Sequence, residues 1–439
     1  MRVLIVDPTA SGLDFGLRCM AAGHTVKLCI ARDKKTHQRR QIGDGLCDKV
    51  ENEDWERWAK WADLIVQTDC VKWLKELDGY KRKGYPVLSP SYESAQLELI
   101  RSKGQEFLKA HGIKTIPYES FSDYRKAETY VTVTQGRYVS KQDGDKDKSL
   151  SYLSKDPKDM IFMLRRWAKK FNGSACKFML QEFVPGIEFA VNGWLGKNGF
   201  CKFVEESFEH KKEMPGDCGQ NTGETGTAIK YVEDSKLAEE VLLPLEKDLI
   251  KMGHTGSFDV SVGIDDNGEP RPYEITARMG WPAMNIVQPL HPDVCEWMGD
   301  LLDGRDTFRP LTDHAVGVVV AMPPFPIEPE NMKDCTGIPV YTLNQENPYW
   351  DVLSPCEVMS GSAPNDDGKD INLMVTAGTY VAVATGLGSS VREARDEAYK
   401  AVASIKMPND PKYRNDIGDK MRSKIPALQE FGYASEWQY

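Results

Sequence analysis

The sequence predicts a multidomain chain of mixed α/β and α+β class. Three observations carry that expectation. Short apolar runs alternate with helical stripes over the first part of the chain, the pattern of a doubly wound α/β sheet. The middle is rich in strand-like segments and holds an acidic, Gly-containing hairpin turn. The last part places a capped, amphipathic helix after Ser390.

Arg2–Val6 reads as a short buried strand, followed by a helix over about Leu13–Ala22 that Gly23 closes in a left-handed cap. Thr25–Ile30 and Asp63–Thr68 read as the next strands. The first turn, Asp7-Pro-Thr-Ala-Ser-Gly12, lacks the G-x-G-x-x-G spacing, so no dinucleotide site is indicated. Ser102 to Gln105 reads as a capping box, with Gly112 ending that helix after His111. From about Ile113 to Leu195 strands surround one helix, Pro157–Phe171. The polar tract Lys141–Lys148 suits a mobile hairpin or, equally, a solvated charged turn. Strands Ser257–Ile264 and Arg271–Thr276 flank the turn Asp265-Asp-Asn-Gly268. Asp313–Met322 opens a C-terminal unit and is broken by Pro323, Pro324 and Pro326. Ser390 and Glu393 form a second capping box, and Val391, Ala394, Ala398, Val402 and Ile405 share one stripe. The polar stretch after Pro408 reads as a wrapping tail.

A chain of 439 residues suits two to four domains and a large core. The net charge of -10 disfavours binding along a nucleic-acid backbone, which needs clustered Lys and Arg. The N-terminal apolar run is too short for a signal peptide, and no window approaches a membrane span. None of the ten cysteines forms a C-x-x-C pair, which fits reduced, mostly buried thiols in a cytoplasmic protein. Seven scattered histidines present no zinc pattern.

The residues that ATP chemistry would need occur in one order. Lys103 sits in the first turn of a helix and Lys141 ends a strand; each is a candidate phosphate ligand or a plain surface charge. In Gln181-Glu-Phe-Val-Pro-Gly-Ile-Glu188, the strand end offers backbone groups to an adenine and Phe183 and Val184 offer apolar walls. Glu188 lies past a Pro-Gly turn, placed for ribose hydroxyls or simply exposed. Asp259 and Glu274 stand on adjacent antiparallel strands with matching parity, so they face one side. They then share a magnesium, with Arg278 aimed at a transferred phosphoryl group, or form a surface pair with Arg278 as counter-ion.

Taken together, these residues resemble the ATP-grasp superfamily and, within it, the phosphoribosylamine–glycine ligases of purine biosynthesis. The likeness runs from about Ser94 to Gly418. SKGQEFLKAHGI (102–113) resembles the family's lysine-bearing helix and QEFVPGIEFAV (181–191) its adenine and ribose strand. EHKKEMPGDCGQNTGETGT (209–227) resembles its D-H-K-R and G-P-N-T-G-G-M-G stretch, and YEITARMG (273–280) its E-F-N-x-R-F-G metal segment. VTAGTYVAVATG (375–386) and KYRNDIG (412–418) resemble two C-terminal motifs.

The resemblance implies an ATP-grasp fold with an N-terminal Rossmann-like domain over 1–93 and an ATP-grasp domain over 94–310. A lid subdomain covers about 113–190, and a small α/β domain with its tail covers 311–439. It implies ATP and magnesium or manganese as cofactors, and an amino acid such as glycine joined to an amine such as phosphoribosylamine through an acyl phosphate. The expected assembly is a monomer or homodimer, with no nucleic acid or membrane partner. By the same carry-over, Lys103 and Lys141 contact ATP phosphates, Glu182, Phe183 and Val184 the adenine, and Glu188 the ribose. Glu274 takes the metal. Lys211, Asp217, Asn221, Thr222 and Gly223 hold the substrate end.

The departures lie mostly at the acceptor side. A Gly-rich loop of type G-G-R-E-H-A is replaced by Asp7–Gly12, and G-P-E by Val66-Gln-Thr-Asp69. A phosphate wants freed backbone N–H groups and positive charge, and an Asp and a Pro offer neither. The second metal ligand, Asn, is Thr276 here, G-D-P-E is Gly280-Trp-Pro-Ala283, and Glu224 and Thr225 enter the amino-acid loop. Asp259 supplies an acid that compensates at the metal, and Trp281 offers a surface for stacking. Three functions fit: the family's own reaction, a sibling ligase with another amine (a modified nucleotide or secondary-metabolite precursor), or a nucleotide-binding protein without ligase activity.

Overall fold

Continuous apolar runs in the first strands and apolar–polar alternation in the later ones sort this chain into a sheet buried on both faces and sheets with one polar face. The structure is a computed structural model that describes residues 1–143, 150–172, 174–291, 294–323, 325–326 and 335–439. Residues 144–148 of the expected hairpin tract and Pro324 therefore lie outside the described residues.

The N-terminal segment runs β1 (Arg2–Asp7), α1 (Leu13–Ala21), β2 (Thr25–Ile30), β3 (Asp48–Lys49), β4 (Leu64–Gln67), α2 (Leu74–Arg82) and β5 (Val87–Leu88). Its strands form a parallel sheet of order β3-β2-β1-β4-β5. Val3 to Val6 are fully buried, as a parallel strand covered on both faces requires. Two helices follow, α3 (Tyr92–Leu99) and α4 (Arg101–Ala110). They touch at Gly104, where a Cβ would stand 2.4 Å from the Leu97 carbonyl oxygen.

A separate antiparallel sheet then forms from β6 (Tyr118–Asp123), α5 (Tyr124–Thr134), β7 (Tyr138–Gln142), β8 (Tyr152–Leu153), α6 (Pro157–Lys170) and β9 (Ser174–Glu182), in the order β6-β9-β7-β8. Its own core holds Tyr124, Val131, Leu164, Trp167 and Phe178.

The largest sheet takes β10 (Ile187–Gly196), β11 (Gly199–Phe200), β12 (Val204–Met214) and β13 (Cys218–Val232), then, after α7 (Lys236–Val241) and α8 (Glu246–Lys251), β14 (Gly256–Ile264) and β15 (Pro270–Thr276). Short helices α9 (Ala283–Val287) and α10 (Glu296–Leu302) precede β16 (His314–Ala321), β17 (Leu353–Pro355), the hairpin β18 (Val358–Pro364) with β19 (Asp370–Thr376), and β20 (Tyr380–Gly388). The order β15-β14-β10-β12-β13-β16-β20-β17 runs without a break across residue 311. Helices α11 (Val391–Ser404) and α12 (Met421–Gln429) complete the chain.

Three local expectations are corrected. Residues 124–134 form a helix inside the region expected to hold one helix only. Their Tyr, Val and Thr content favours strands, but Asp123 caps the Arg125 and Lys126 N–H groups and Tyr124, Ala127 and Val131 bury at helical spacing. Ser102 makes no capping box: α4 starts one residue earlier, and the Asp143 carboxylate accepts the Arg101 N–H at 3.1 Å. The stretch after Pro408 is more than a tail, since α12 forms despite Pro426 and its buried residues join Tyr433 and Trp437 in the main core. The stripe of α11 is buried as expected, with Ser390 as cap, although the Glu393 side chain bonds Ser389 rather than Ser390. The cysteines described are free, most of them buried. Among the described residues no helix is long and apolar enough to cross a membrane.

Candidate active site

Strand parity builds the site. In the central sheet Asn192 faces both Glu205 and Asp259, Ala190 faces Ser207 and Ser261, and Asp259 and Ser261 in turn face Thr276 and Glu274. These positions, with Glu188, Glu209 and Thr227, share one side of the sheet. The alternate residues Phe189, Val191, Phe208, Val260, Val262 and Ile275 fill the core behind it. One face is therefore apolar and packed, and the other is a field of carboxylates and hydroxyls.

Lys211 stands among three of those acids. Its ammonium lies 2.8 Å from Glu188, 2.7 Å from Glu209 and 3.1 Å from Glu274. Burial opposes the charge, but the three acids outweigh it and hold the ammonium well above its ordinary value. Lys211 holds Glu274 well below the usual carboxylate range, against burial and with help from Arg101. Glu274 receives Arg101 at 2.8 Å from the start of α4. The same guanidinium donates to the Gln142 carbonyl at 3.0 Å, so Arg101 ties β7 to the central sheet.

Lys141 reaches from β7 to the Tyr273 carbonyl at 2.7 Å. Burial lowers its ammonium to about 7, with Glu274 opposing the shift. Farther along the face, Glu205, Glu209, Glu224 and Asp259 line a cavity with Asn192, Thr276 and Trp281. Burial raises Glu224 and Asp259 well above the usual range, and repulsion from Glu209 adds to both.

The expected adenine strand has a built opening. Glu182 N–H donates to Pro117 and Phe183 N–H to Arg137, each at 2.9 Å. Pro117 has no N–H to return, which leaves the Glu182 carbonyl without its ladder donor. The Arg137 guanidinium lies over the Phe183 ring at 3.6 Å, and Val184 follows half-buried. Beyond the turn, a Cβ on Gly186 would meet the Ile264 carbonyl at 2.7 Å, so glycine lets the strand that carries Glu188 approach the hairpin.

The segment after α11 clamps the stretch 209–217. Buried Arg414 donates to the Lys212 carbonyl at 3.0 Å and pairs with Asp217 and Asp416 at 2.9 and 2.8 Å. Asp416 accepts the Gly216 N–H, and Lys420 donates to the Glu209 carbonyl at 2.6 Å. Asn221 donates to the Ser151 carbonyl beside β8, and buried Thr222 to the Lys211 carbonyl. Gly223 lies beside Tyr380, whose ring is 5.0 Å from Trp281.

Two expected residues sit elsewhere. Lys103 is exposed on α4, and the side chain of that helix that enters the cluster is Arg101. Arg278 is turned toward the N-terminal segment, paired with Asp69 at 3.4 Å and Glu98 at 3.2 Å rather than aimed among the acids. Arg101 was not legible as the entering cation because it and Lys103 are both basic residues in the first turn of α4, and nothing in the local pattern separates them. Arg137 and Arg414 were missed because their partners lie 46 and 197 positions away.

A divalent cation suits this donor set. Asp259 lies opposite Thr276 and near Glu274 on one face, all hard oxygen donors, and the mutual repulsion of the acids is what such an ion relieves. Among the described residues no three His, Cys, Asp or Glu side chains already cluster as a ligand set. Glu274 instead bonds Arg101 and Lys211.

Comparison with known proteins bears directly on this geometry. The model of the ATP-grasp (A) domain of phosphoribosylglycinamide synthetase matches residues 101–255. The chain has the ATP-grasp fold. It is similar to the phosphoribosylamine–glycine ligase of Ralstonia nicotianae, 26% identical over 359 residues that cover 78% of this chain and 81% of the relative. The Vibrio parahaemolyticus ligase of the same name is 25% identical over 81% of this chain and 82% of its own. Among solved structures, the Thermotoga maritima phosphoribosylamine–glycine ligase superposes with a TM-score of 0.70 at 21% identity, over 95% of this chain and all of its own. The biotin carboxylase domain of Hydrogenobacter thermophilus 2-oxoglutarate carboxylase, solved with MgADP, has a TM-score of 0.60 at 12% identity, with 99% of both chains covered.

Proposed function

We propose that this chain is an ATP-dependent, ADP-forming carboxylate–amine ligase. The observation that carries the reading is the cationic triad Arg101, Lys141 and Lys211 around Glu274 and Glu188, where the lid sheet meets the central sheet. Such alternation of charge suits a polyphosphate with a divalent cation.

Lys141 and Arg101 would neutralise the phosphate oxygens. The Glu182 carbonyl and Val184 would meet the adenine edge, Phe183 its face, and Glu188 the ribose. Glu274 with Asp259 and Thr276 would hold magnesium or manganese, which supplies charge neutralisation at the transferred phosphoryl group. The substrate carboxylate attacks the γ-phosphorus and the bond to the ADP oxygen breaks. The amine nitrogen then attacks the acyl carbon, phosphate leaves, and the nitrogen loses a proton. Lys211 and Asn221 to Gly223 border the space for the acid, and glycine is the first candidate because the named relatives are glycine ligases. Their other named substrate, phosphoribosylamine, is the first amine to try. A sibling ligase with a different amine is the second reading, favoured by the altered loop Asp7–Gly12.

ADP release with ATP, magnesium and a panel of amino acids and amines tests the assignment. Release that needs both an acid and an amine, with an amide product, supports it. ADP formation that no acid–amine pair stimulates removes the ligase reading.

A further inference from the structure

The place where a phosphate-binding loop would hold an anion is filled by the chain's own carboxylate. One Asp7 oxygen accepts the N–H groups of Thr9, Ala10 and Ser11 at 3.2, 2.9 and 3.2 Å, and the Thr68 hydroxyl at 2.8 Å. The other accepts the Gly12 N–H at 2.8 Å. Asp7 is fully buried. These successive amides before α1 are the donors that such loops offer to phosphate.

The cavities beside this loop have a matching character. A small one is walled by Ser11, Phe15, Thr68, Met279, Trp281 and Asn285. It shares Met279, Gly280, Trp281 and Met284 with the acid-lined cavity. No Lys or Arg among the described residues lines either one. Nearby cations already have anionic or carbonyl partners: Arg40 the Thr9 carbonyl and Asp33, with its Nε left without one, Arg18 Asp14, and Arg278 Asp69 and Glu98. Glu224, 4% exposed, lines the acid cavity with one carboxylate oxygen that has no partner, and Thr227 adds a hydroxyl in the same condition.

We infer that Asp7 is a specificity residue and that the acceptor is an amine without a phosphate group, whose cationic or hydrogen-bond-donating part faces Glu224. The inference rests on the ligase reading. A second anion brought against the Asp7 loop meets a buried like charge and amides already bonded to it, whereas an ammonium or amide N–H entering beside Trp281 finds an unpaired acid. Asp7 acts by occupying the loop and is distinct from the groups that touch reacting atoms.

The test compares ribosylamine with phosphoribosylamine, and small diamines with their phosphorylated forms, as acceptors for the wild-type chain. Phosphate-free amines should be preferred by roughly a hundredfold in kcat/KM, the scale of a buried like-charge clash. A parallel measurement is independent of turnover. In Asp7→Gly the bare amides should lower Tm, and ribose 5-phosphate should raise it again, while it leaves the wild-type Tm with MgADP bound unchanged. Faster turnover of phosphoribosylamine, or ribose 5-phosphate binding to the wild type, overturns the inference and leaves the ligase reading standing. ADP release stimulated by no amine at all defeats the ligase reading instead, and the Tm comparison still decides whether Asp7 fills an anion place. Should Asp7→Gly fail to fold, Asp7→Ser keeps one hydroxyl for the loop and carries the same expectation.

Discussion

The cluster around Lys211 and the loop around Asp7 solve opposite problems. Around Lys211, cations and acids alternate and keep part of their surface open, with side-chain exposures of 24–32% at Arg101, Lys211, Glu188 and Glu274. An incoming polyanion can exchange partners there at small cost. At the loop, a buried carboxylate saturates its donors, and nothing is left to exchange. One region is poised to bind charge, and the other has already bound its own. A ligase that changes its acceptor while keeping its nucleotide needs this difference.

The difference between the two regions turns first on Glu274. Glu274→Gln removes the proposed anionic metal ligand and one of the three acids at Lys211, so turnover should fall about a thousandfold with the fold intact. ADP release near the wild-type rate would remove the cluster from the active site. Next comes Lys141, whose charged ammonium is the form proposed to meet phosphate and has its pKa lowered to about 7. The lowered value means that charge is present below that pH and lost above it. Accordingly kcat/KM for ATP, which reports the free enzyme, should fall as pH rises through about 7. Lys141→Arg should flatten that limb and Lys141→Ala should cost about a hundredfold, the scale of a lost charge-assisted contact to phosphate. A pH profile unchanged in Lys141→Arg would point to another group.

Asp259→Ala is a finer probe. About tenfold more magnesium should be needed for half-maximal rate, as for loss of one supporting ligand, and an unchanged magnesium titration would refute the compensation for the missing Asn. The smallest effect concerns an acid outside both regions. Glu206 is buried beneath Ser235 and Trp437, and burial raises its carboxyl from 4.5 to about 7. A raised carboxyl costs nothing while protonated in both folded and unfolded chains, below about pH 4.5, and its full penalty is present above about 7. Glu206→Gln should therefore leave urea stability unchanged at low pH and raise it by roughly 1–3 kcal/mol at pH 8. Equal stability at both pH values would mean that a raised acid in this sheet is no guide to its environment, and would weaken the reading of Glu224 and Asp259.

The parity of β14 and β15 was legible in the sequence, because period-two alternation puts Asp259 and Glu274 on one face, whereas Glu188 joins them only through the pairing of β10 with β14. The helix α5 was hidden, since its Tyr, Thr and Val residues read as strand until Asp123 is seen as a cap. Site membership was less legible than fold. Lys211 could be found by resemblance, yet its place between three acids depends on β10, β12 and β15 meeting in space. Likewise Asp7 was visible as a departure, but that its carboxylate closes the loop on itself is a tertiary fact.

The clamp formed by Arg414, Asp416 and Lys420 sets the order in which the centre can be finished. These residues hold the backbone of Glu209, Lys212 and Gly216, yet they are made some two hundred positions later. A nascent chain therefore exposes every expected nucleotide residue before the strand that carries Lys211 is secured, and a protease cut ahead of Lys412 yields a product with those residues present but unclamped. Maturation of the centre waits on translation of its most distant part.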